Sequence, residues 1–123
     1  MIEQLTDFPD TVVAIRLSGE ITRTDYQDVF MPAVDAALKT HDKAALYYET
    51  APGFTGYSLG AMGEDAVLGF RHYFRFSRVA IVSDVGWLRN AVAAFHPLFP
   101  CPVRLYHPGE AAAAKRWIET GQM

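Results

Sequence analysis

Three short, almost continuously apolar runs, separated by segments with helical periodicity, constrain the fold of this 123-residue chain more than any other feature. The runs lie at residues 11–17, 44–49 and 78–83. Strands that are covered on both faces have this apolar character, which is typical of parallel sheets. Strands that alternate with helices indicate an α/β domain. We therefore predict an α/β fold with a mostly parallel sheet.

The two ends of the chain complete this pattern. Residues 2–8 are separated from residues 11–17 by the turn signal Pro9-Asp10, so the first two strands are predicted to form a hairpin with one antiparallel edge. Residues 101–106 predict a fifth strand. The predicted order is ββαβαβαβα, with about five strands in a mixed sheet and about four flanking helices. One domain is expected to span residues 1–123.

Each intervening segment carries signals of an amphipathic helix. The first begins near Thr24, which forms a capping-box pattern with Gln27, and Pro32 inside the helix predicts a kink. A second helix is predicted from Ser58 to about residue 74, a third after Asp84 as its N-cap, and a fourth over residues 109–119. In the second helix, the periodicity assigns an inner stripe of Leu59, Met62, Ala66, Phe70 and Tyr73, and it directs Val67, Leu68 and Phe74 outward.

Composition and charge argue against several classes of function. The net charge is -3 and the sequence has no cluster of basic residues, so no nucleic-acid partner is expected. The four histidines lack the close pairing of zinc ligands, and no cofactor motif is present, so we predict no metal and no cofactor. The single cysteine, Cys101, and an amino terminus without a signal-like apolar segment predict a cytoplasmic protein.

The candidate site lies in the loops that leave the carboxyl ends of the strands, where open α/β domains usually bind ligands. Phe54 and Tyr57 in loop 51–57 predict an aromatic wall for a small apolar or amphipathic ligand. The simpler alternative is that both rings only cover the end of the sheet. Asp84 and Trp87 follow the next strand on the same edge and either complete the site or serve as cap and core. The predicted ligand-binding set is Phe54, Tyr57, Ser58, Met62, Phe70, Asp84 and Trp87.

Ser58 has three interpretations. The simplest is an N-cap, whose hydroxyl accepts a backbone hydrogen bond at the start of the helix. A helix amino terminus also favours a phosphate, so Ser58 is the predicted regulatory residue if the protein is a phospho-switch. Finally, Gly56-Tyr57-Ser58-Leu59-Gly60 matches the Gly-x-Ser-x-Gly pattern of hydrolases, with Asp84 and then His96 or His107 following in the hydrolase order. The long loop before Ser58 and the lack of a glycine-rich oxyanion segment argue against catalysis, so we predict no catalytic residue.

Several short segments, in the same order and spacing, make the chain resemble the SpoIIAA-like proteins, a branch of the STAS (sulfate transporter and anti-sigma factor antagonist) fold. The resemblance rests on Ser18-Gly19-Glu20-Ile21-Thr22, Asp25-Tyr26, Pro32, Phe54-x-Gly56, Asp65, Phe76-x-Arg78-Val79-Ala80-Ile81-Val82-Ser83-Asp84, Trp87, Val103-Arg104-Leu105-Tyr106, Glu110-Ala111 and Trp117-Ile118. It implies a non-enzymatic, cytoplasmic and dimeric domain, in a family for which small apolar ligands and membrane association have been suggested.

The chain departs from the phosphorylated members of that fold at one position. Those members carry an Asp-Ser pair at the start of the second helix. In this chain, Tyr57 takes the place of the aspartate before Ser58. We therefore expect a binding or regulatory module for an apolar or amphipathic ligand, a membrane or a protein partner. An anti-sigma-antagonist-like phospho-switch at Ser58 is the alternative. A homodimer is expected because the outward apolar positions of the second helix need covering.

Overall fold

In the part of the chain that the structure describes, the central sheet contains five strands in the order β1 (Ile2–Gln4), β2 (Val12–Leu17), β4 (Ala44–Thr50), β6 (Phe76–Val82) and β7 (Val103–Tyr106). The computed structural model describes residues 1–72 and 74–122, apart from the side chains at positions 69, 70 and 96. β1 runs antiparallel to β2, and the other neighbours are parallel. The predicted mixed sheet with one antiparallel edge is thus confirmed.

Among the described residues, four helices flank the sheet, as the sequence predicts. α1 extends over three consecutive segments between Arg23 and Thr40. The others are α2 (Leu59–Arg71), α3 (Gly86–Phe95) and α4 (Ala111–Thr120). Short 3-10 turns, His96–Leu98 and Pro108–Glu110, follow α3 and precede α4.

Alternate residues of the strands face two separate cores. Val13, Ile15, Leu46, Val79 and Ile81 belong to the core beneath α1, and their neighbours Val12, Ala14, Ala45, Ala80 and Val82 belong to the core beneath α4. On the α4 side, Trp117 and Ile118 are almost fully buried against the strands. This alternation explains why the strands are apolar at nearly every position, since both faces of the sheet are covered.

A π-helical turn precedes the proline of α1. The helix starts with the turn Arg23–Asp25, continues as a π-helix over Tyr26–Phe30 and ends as an α-helix over Met31–Thr40. Proline has no N–H to donate to the preceding turn, which accounts for the wider turn before it. The predicted capping box was wrong by two residues, because Thr22 caps the helix and its N–H donates to the Asp25 carboxylate at 2.8 Å.

A small second sheet, which the sequence did not predict, anchors the loop before α2. β3 (Glu20–Ile21) pairs in parallel with β5 (Gly56–Tyr57), and the Ser58 N–H donates to the Ile21 carbonyl at 2.8 Å. Gly56 has a φ of 133°, a region that favours glycine. These bonds fix the direction in which the chain enters α2.

The predicted inner stripe of α2 was wrong. Leu59 is 86% exposed, whereas Leu68, assigned to the outer side, is 3% exposed. Ala61 and Leu68 instead face the core. Asp65 falls between them on the same side of the helix, although its side chain is exposed. Because Asp65 lies on this face of the helix, the hydrophobic pattern indicated a polar face there. Phe70 and Tyr73, also assigned inward, fall outside the described side chains.

Candidate functional site

A groove separates α2 from α3 on the α1 side of the sheet. Its volume is about 630 Å³. Strand residues such as Leu46 and Ile81 line it together with Met62 and Ala66 of α2 and with Ala91 of α3. Its lining is mostly apolar, and its size lies within the usual range of small-molecule sites.

Separate attachments of the two helices leave this groove open. The start of α2 lies against α1, where a Cβ on Gly60 would come within 3.2 Å of Arg23 Cβ, and Glu64 lies 3.7 Å from Arg23 Nε. α3 is fixed at the carboxyl ends of β6 and β7, because Arg89 Nη1 donates to the carbonyls of Ser83 and Tyr106, each at 3.0 Å. The side chains between the helices therefore face a space that neither helix closes.

Three aromatic rings form the corner where the loops meet the groove. Phe54 stacks on Trp87 with ring centroids 6.0 Å apart, and Tyr57 meets both rings edge-on. Tyr57 and Trp87 line the groove, whereas Phe54 packs behind them as a partly buried residue. Trp87 remains 48% exposed and Met62 52% exposed. Trp87 is thus an exposed wall residue, which disagrees with the alternative that it is core.

One acidic residue interrupts the apolar lining. The Tyr26 hydroxyl donates to Asp65 Oδ1 at 2.8 Å, and the Asp65 carboxylate is reached from the groove. The surrounding protein desolvates this carboxylate and raises its pKa, and the hydrogen bond from Tyr26 opposes the rise. Neither Asp65 nor Tyr26 was predicted as a site residue, although an acidic residue on an apolar helical stripe was a signal in the sequence.

Two further phenols open into the same groove. Within the described part of the chain, the structure gives the hydroxyls of Tyr48 and Tyr57 no hydrogen-bond partner, and both residues line the groove. Burial raises the pKa of each phenol, and the negative charge of Asp65 raises it further. Both groups therefore remain protonated at neutral pH and are available as hydrogen-bond donors.

Ser58 is the N-cap of α2. Its Oγ accepts a hydrogen bond from the Ala61 N–H at 3.1 Å. This is the simplest of the three interpretations of Ser58. The regulatory role of Ser58 stays a prediction, since capping and phosphorylation at a helix amino terminus use the same position.

The prediction that Asp84 is the N-cap of α3 was wrong. The helix begins at Gly86, and the exposed Asp84 carboxylate instead contacts His107 Nδ1 at 2.7 Å. Asp84 is not among the described residues that line the groove. Two residues of the hydrolase-like pattern, Asp84 and His107, are therefore in contact. The third, Ser58, has its hydroxyl engaged as the cap of α2. The side chains of Phe70 and His96 lie outside the description.

A smaller depression of about 270 Å³ lies at the carboxyl ends of the strands, where α/β domains usually bind ligands. Arg16, a cationic side chain in its lining, is already paired, because Arg16 Nε donates to Glu49 Oε2 at 2.8 Å. The Thr50 hydroxyl donates to the Ser83 hydroxyl at 2.8 Å. These polar groups satisfy one another, so we consider the larger groove the candidate site.

The described residues, 1–72 and 74–122, contain no cluster of side chains suited to a metal ion. Over the same ranges, none of the helices combines the length and the apolar character needed to cross a bilayer.

Comparisons with known proteins agree on the fold. A family model described as SpoIIAA-like matches residues 12–119. An uncharacterized protein from the DUF3478 family of Shewanella loihica PV-4, whose crystal structure has a SpoIIAA-like fold, is similar to this chain with a TM-score of 0.73. It is 23% identical over 96% of this chain and 90% of that chain, which establishes a shared fold alone. No curated protein matches the chain.

Proposed function

The chain belongs to the SpoIIAA-like family, and on that premise we propose that it is a non-enzymatic module that binds a small apolar or amphipathic ligand in the groove between α2 and α3. The observation that carries this proposal is the open, mostly apolar groove of about 630 Å³ with a few convergent polar groups. That combination is the usual composition of a small-molecule site. A cytoplasmic location remains part of the proposal.

The apolar surface of the groove favours an occupant. Met62, Trp87 and Phe95 are all exposed, and each also lines the groove. Burying apolar surface gains about 25 cal/mol per Å². A ligand that covers these side chains therefore gains free energy without reorganising the sheet.

A small ligand accounts for the groove better than a protein or membrane partner does. The groove is concave, and its lining includes three residues with polar side chains, Asp65, Tyr48 and Tyr57. A lipid surface or a flat partner reaches exposed side chains at a rim, but it leaves such interior groups without partners, and buried unpaired groups are costly. Homodimerisation and peripheral membrane contact stay predictions, which concern the outer face of α2, where Leu59 and Val67 are exposed.

The phospho-switch at Ser58 is the alternative function. The SpoIIAA-like fold is compatible with it. No specific contact favours it over a cap, since the Ser58 hydroxyl already accepts the Ala61 N–H.

The test fills the groove from each wall separately. Ala66→Trp on α2 and Ala91→Trp on α3 both place a large ring in the groove, and Ala94→Trp adds the same ring to an exposed position of α3 that does not line it. Binding is followed by the fluorescence of N-phenyl-1-naphthylamine, a small uncharged apolar probe. Circular dichroism during heating shows that each variant is folded.

We expect saturable binding of the probe to the unmodified protein and to Ala94→Trp, with an affinity at least tenfold lower in both groove variants. Equal affinity in all four proteins, or no saturable binding to the unmodified protein, contradicts the proposed function. The two introduced rings enter the groove from opposite walls. If one of these variants does not fold, the other still tests whether the probe binds in the groove.

A further inference from the structure

We propose that the groove selects a single-chain amphiphile whose head group is uncharged or cationic and donates a hydrogen bond to Asp65. This inference rests on the proposed function and adds the chemical class of the ligand. It is carried by the position of one carboxylate and of two phenols within an otherwise apolar groove.

The Asp65 carboxylate has one engaged oxygen and one open oxygen. Oδ1 accepts the Tyr26 hydroxyl at 2.8 Å, and within the described residues Oδ2 has no hydrogen-bond partner. Tyr26 is 2% exposed and packs edge-on against Phe30 with centroids 5.5 Å apart, so its hydroxyl is held in place. A carboxylate fixed in this way is an acceptor for a donor that enters through the groove.

The phenols supply the complementary donors. Tyr48 packs edge-on against Phe30 with centroids 5.5 Å apart, and Tyr57 is held at the aromatic corner by Phe54 and Trp87. Both tyrosines line the groove together with Asp65. An alcohol group on a ligand both donates and accepts, so it can bond to the carboxylate and to a phenol. An ammonium group satisfies the carboxylate as a charge-assisted donor.

The charges around the groove disfavour an anionic head. Of the described residues that line it, Asp65 is the only charged one, and none is lysine, arginine or histidine. A carboxylate ligand would therefore place a second negative charge beside Asp65 without a cation to balance either. Two carboxylates at one site cannot both remain ionised without a cost, and one of them takes up a proton.

The test compares four ligands that share a ten-carbon tail: decylamine, 1-decanol, decanoate and decyltrimethylammonium. The last has a positive charge but no N–H, so it separates the hydrogen bond from the charge. Affinities are measured at pH 7.5 by displacement of N-phenyl-1-naphthylamine. We expect decylamine and decanol to bind at least tenfold more tightly than decanoate, and decylamine to bind more tightly than decyltrimethylammonium.

Two matched variants test whether the Asp65 carboxylate causes this preference among head groups. Asp65→Asn removes the carboxylate from the groove, and Glu64→Gln removes one negative charge from the neighbouring residue, which does not line it. We expect Asp65→Asn to weaken decylamine binding at least tenfold and to leave the uncharged probe unaffected, and Glu64→Gln to change neither.

The outcomes separate this inference from the proposed function. If none of the ligands and no probe binds saturably, the proposed function fails. If all ligands bind to the unmodified protein but decanoate matches decylamine, the groove binds ligands without the selectivity inferred here. The comparison among ligands needs no variant, so it decides the matter even if Asp65→Asn does not fold.

Discussion

Lengthening the tail of a bound amphiphile should tighten its binding by a calculable step. A fully buried methylene contributes about 0.8 kcal/mol, and about 1.4 kcal/mol corresponds to a tenfold change in affinity. Each added methylene therefore tightens binding about fourfold if it is enclosed. The groove is open along one side, and a half-covered methylene contributes about 0.4 kcal/mol, or about twofold. We expect a step between about twofold and fourfold per methylene.

The volume of the groove limits the length of this series. A groove of about 630 Å³ accommodates about 20 groups of the size of a water molecule, at about 30 Å³ each. Because a flexible chain does not fill an open groove completely, the gain should stop before the tail reaches about 20 carbons. A longer tail would extend into water and gain no more.

The assay is displacement of N-phenyl-1-naphthylamine by primary alkylamines with even tails from hexyl to hexadecyl, at concentrations below micelle formation. Ala91→Trp should shorten the rising part of the series, since its ring occupies part of the space. An affinity independent of tail length would refute the reasoning. So would a series in Ala91→Trp that is identical to that of the unmodified protein, because the tail would then lie elsewhere.

Three other perturbations test the structure around the groove. Gly56→Ala should lower the free energy of unfolding by about 1–3 kcal/mol, because the φ of Gly56 is 133°. Gly53→Ala should not lower it, because a Cβ added at Gly53 would meet nothing within 4 Å. Equal urea midpoints for the two variants would contradict this. Ser58→Ala should cost about 1 kcal/mol through loss of the cap and leave probe affinity unchanged, so a loss of affinity at unchanged stability would assign Ser58 to the site. The surrounding protein desolvates the Asp65 carboxylate and raises its pKa, so between the unfolded-state and folded-state pKa values the folded protein retains a proton that the unfolded chain has lost. Stability should therefore fall as pH rises from about 4 through the folded-state pKa, and urea titrations of Asp65→Asn should lack this fall.

The alternation of strands and helices along the chain could be predicted from sequence because each central strand is apolar on both faces. Val13 and Ile15 enter one core and Val12 and Ala14 the other, which produces a run that no amphipathic helix has. The boundaries of β2 and β4 differ from the prediction by one residue at one end. The antiparallel first strand was overestimated, since only Ile2–Gln4 pairs with β2.

The groove could not be predicted because it depends on the distance between α2 and α3, which the hydrophobic pattern of neither helix indicates. Hydrophobic periodicity assumes that the apolar face of a helix is the buried face, yet Met62 is exposed in the groove and Asp65 shares a stripe with buried Leu68. Asp65 finds its partner in Tyr26, 39 residues away, and a contact of that kind has no local signal. Of the predicted site residues, Tyr57, Met62 and Trp87 do lie along the groove.

Methyl resonances provide the most direct test of the central claim that the ligand enters the α2–α3 groove. Leu46, Ile81 and Leu88 line the groove, whereas Val82 and Ile118 belong to the core beneath α4. In a titration with decylamine, we predict saturable ¹³C-methyl shifts at the first three residues and unchanged resonances at the other two. Shifts confined to Val82 and Ile118, or no saturable shift at any of the five, would contradict the account.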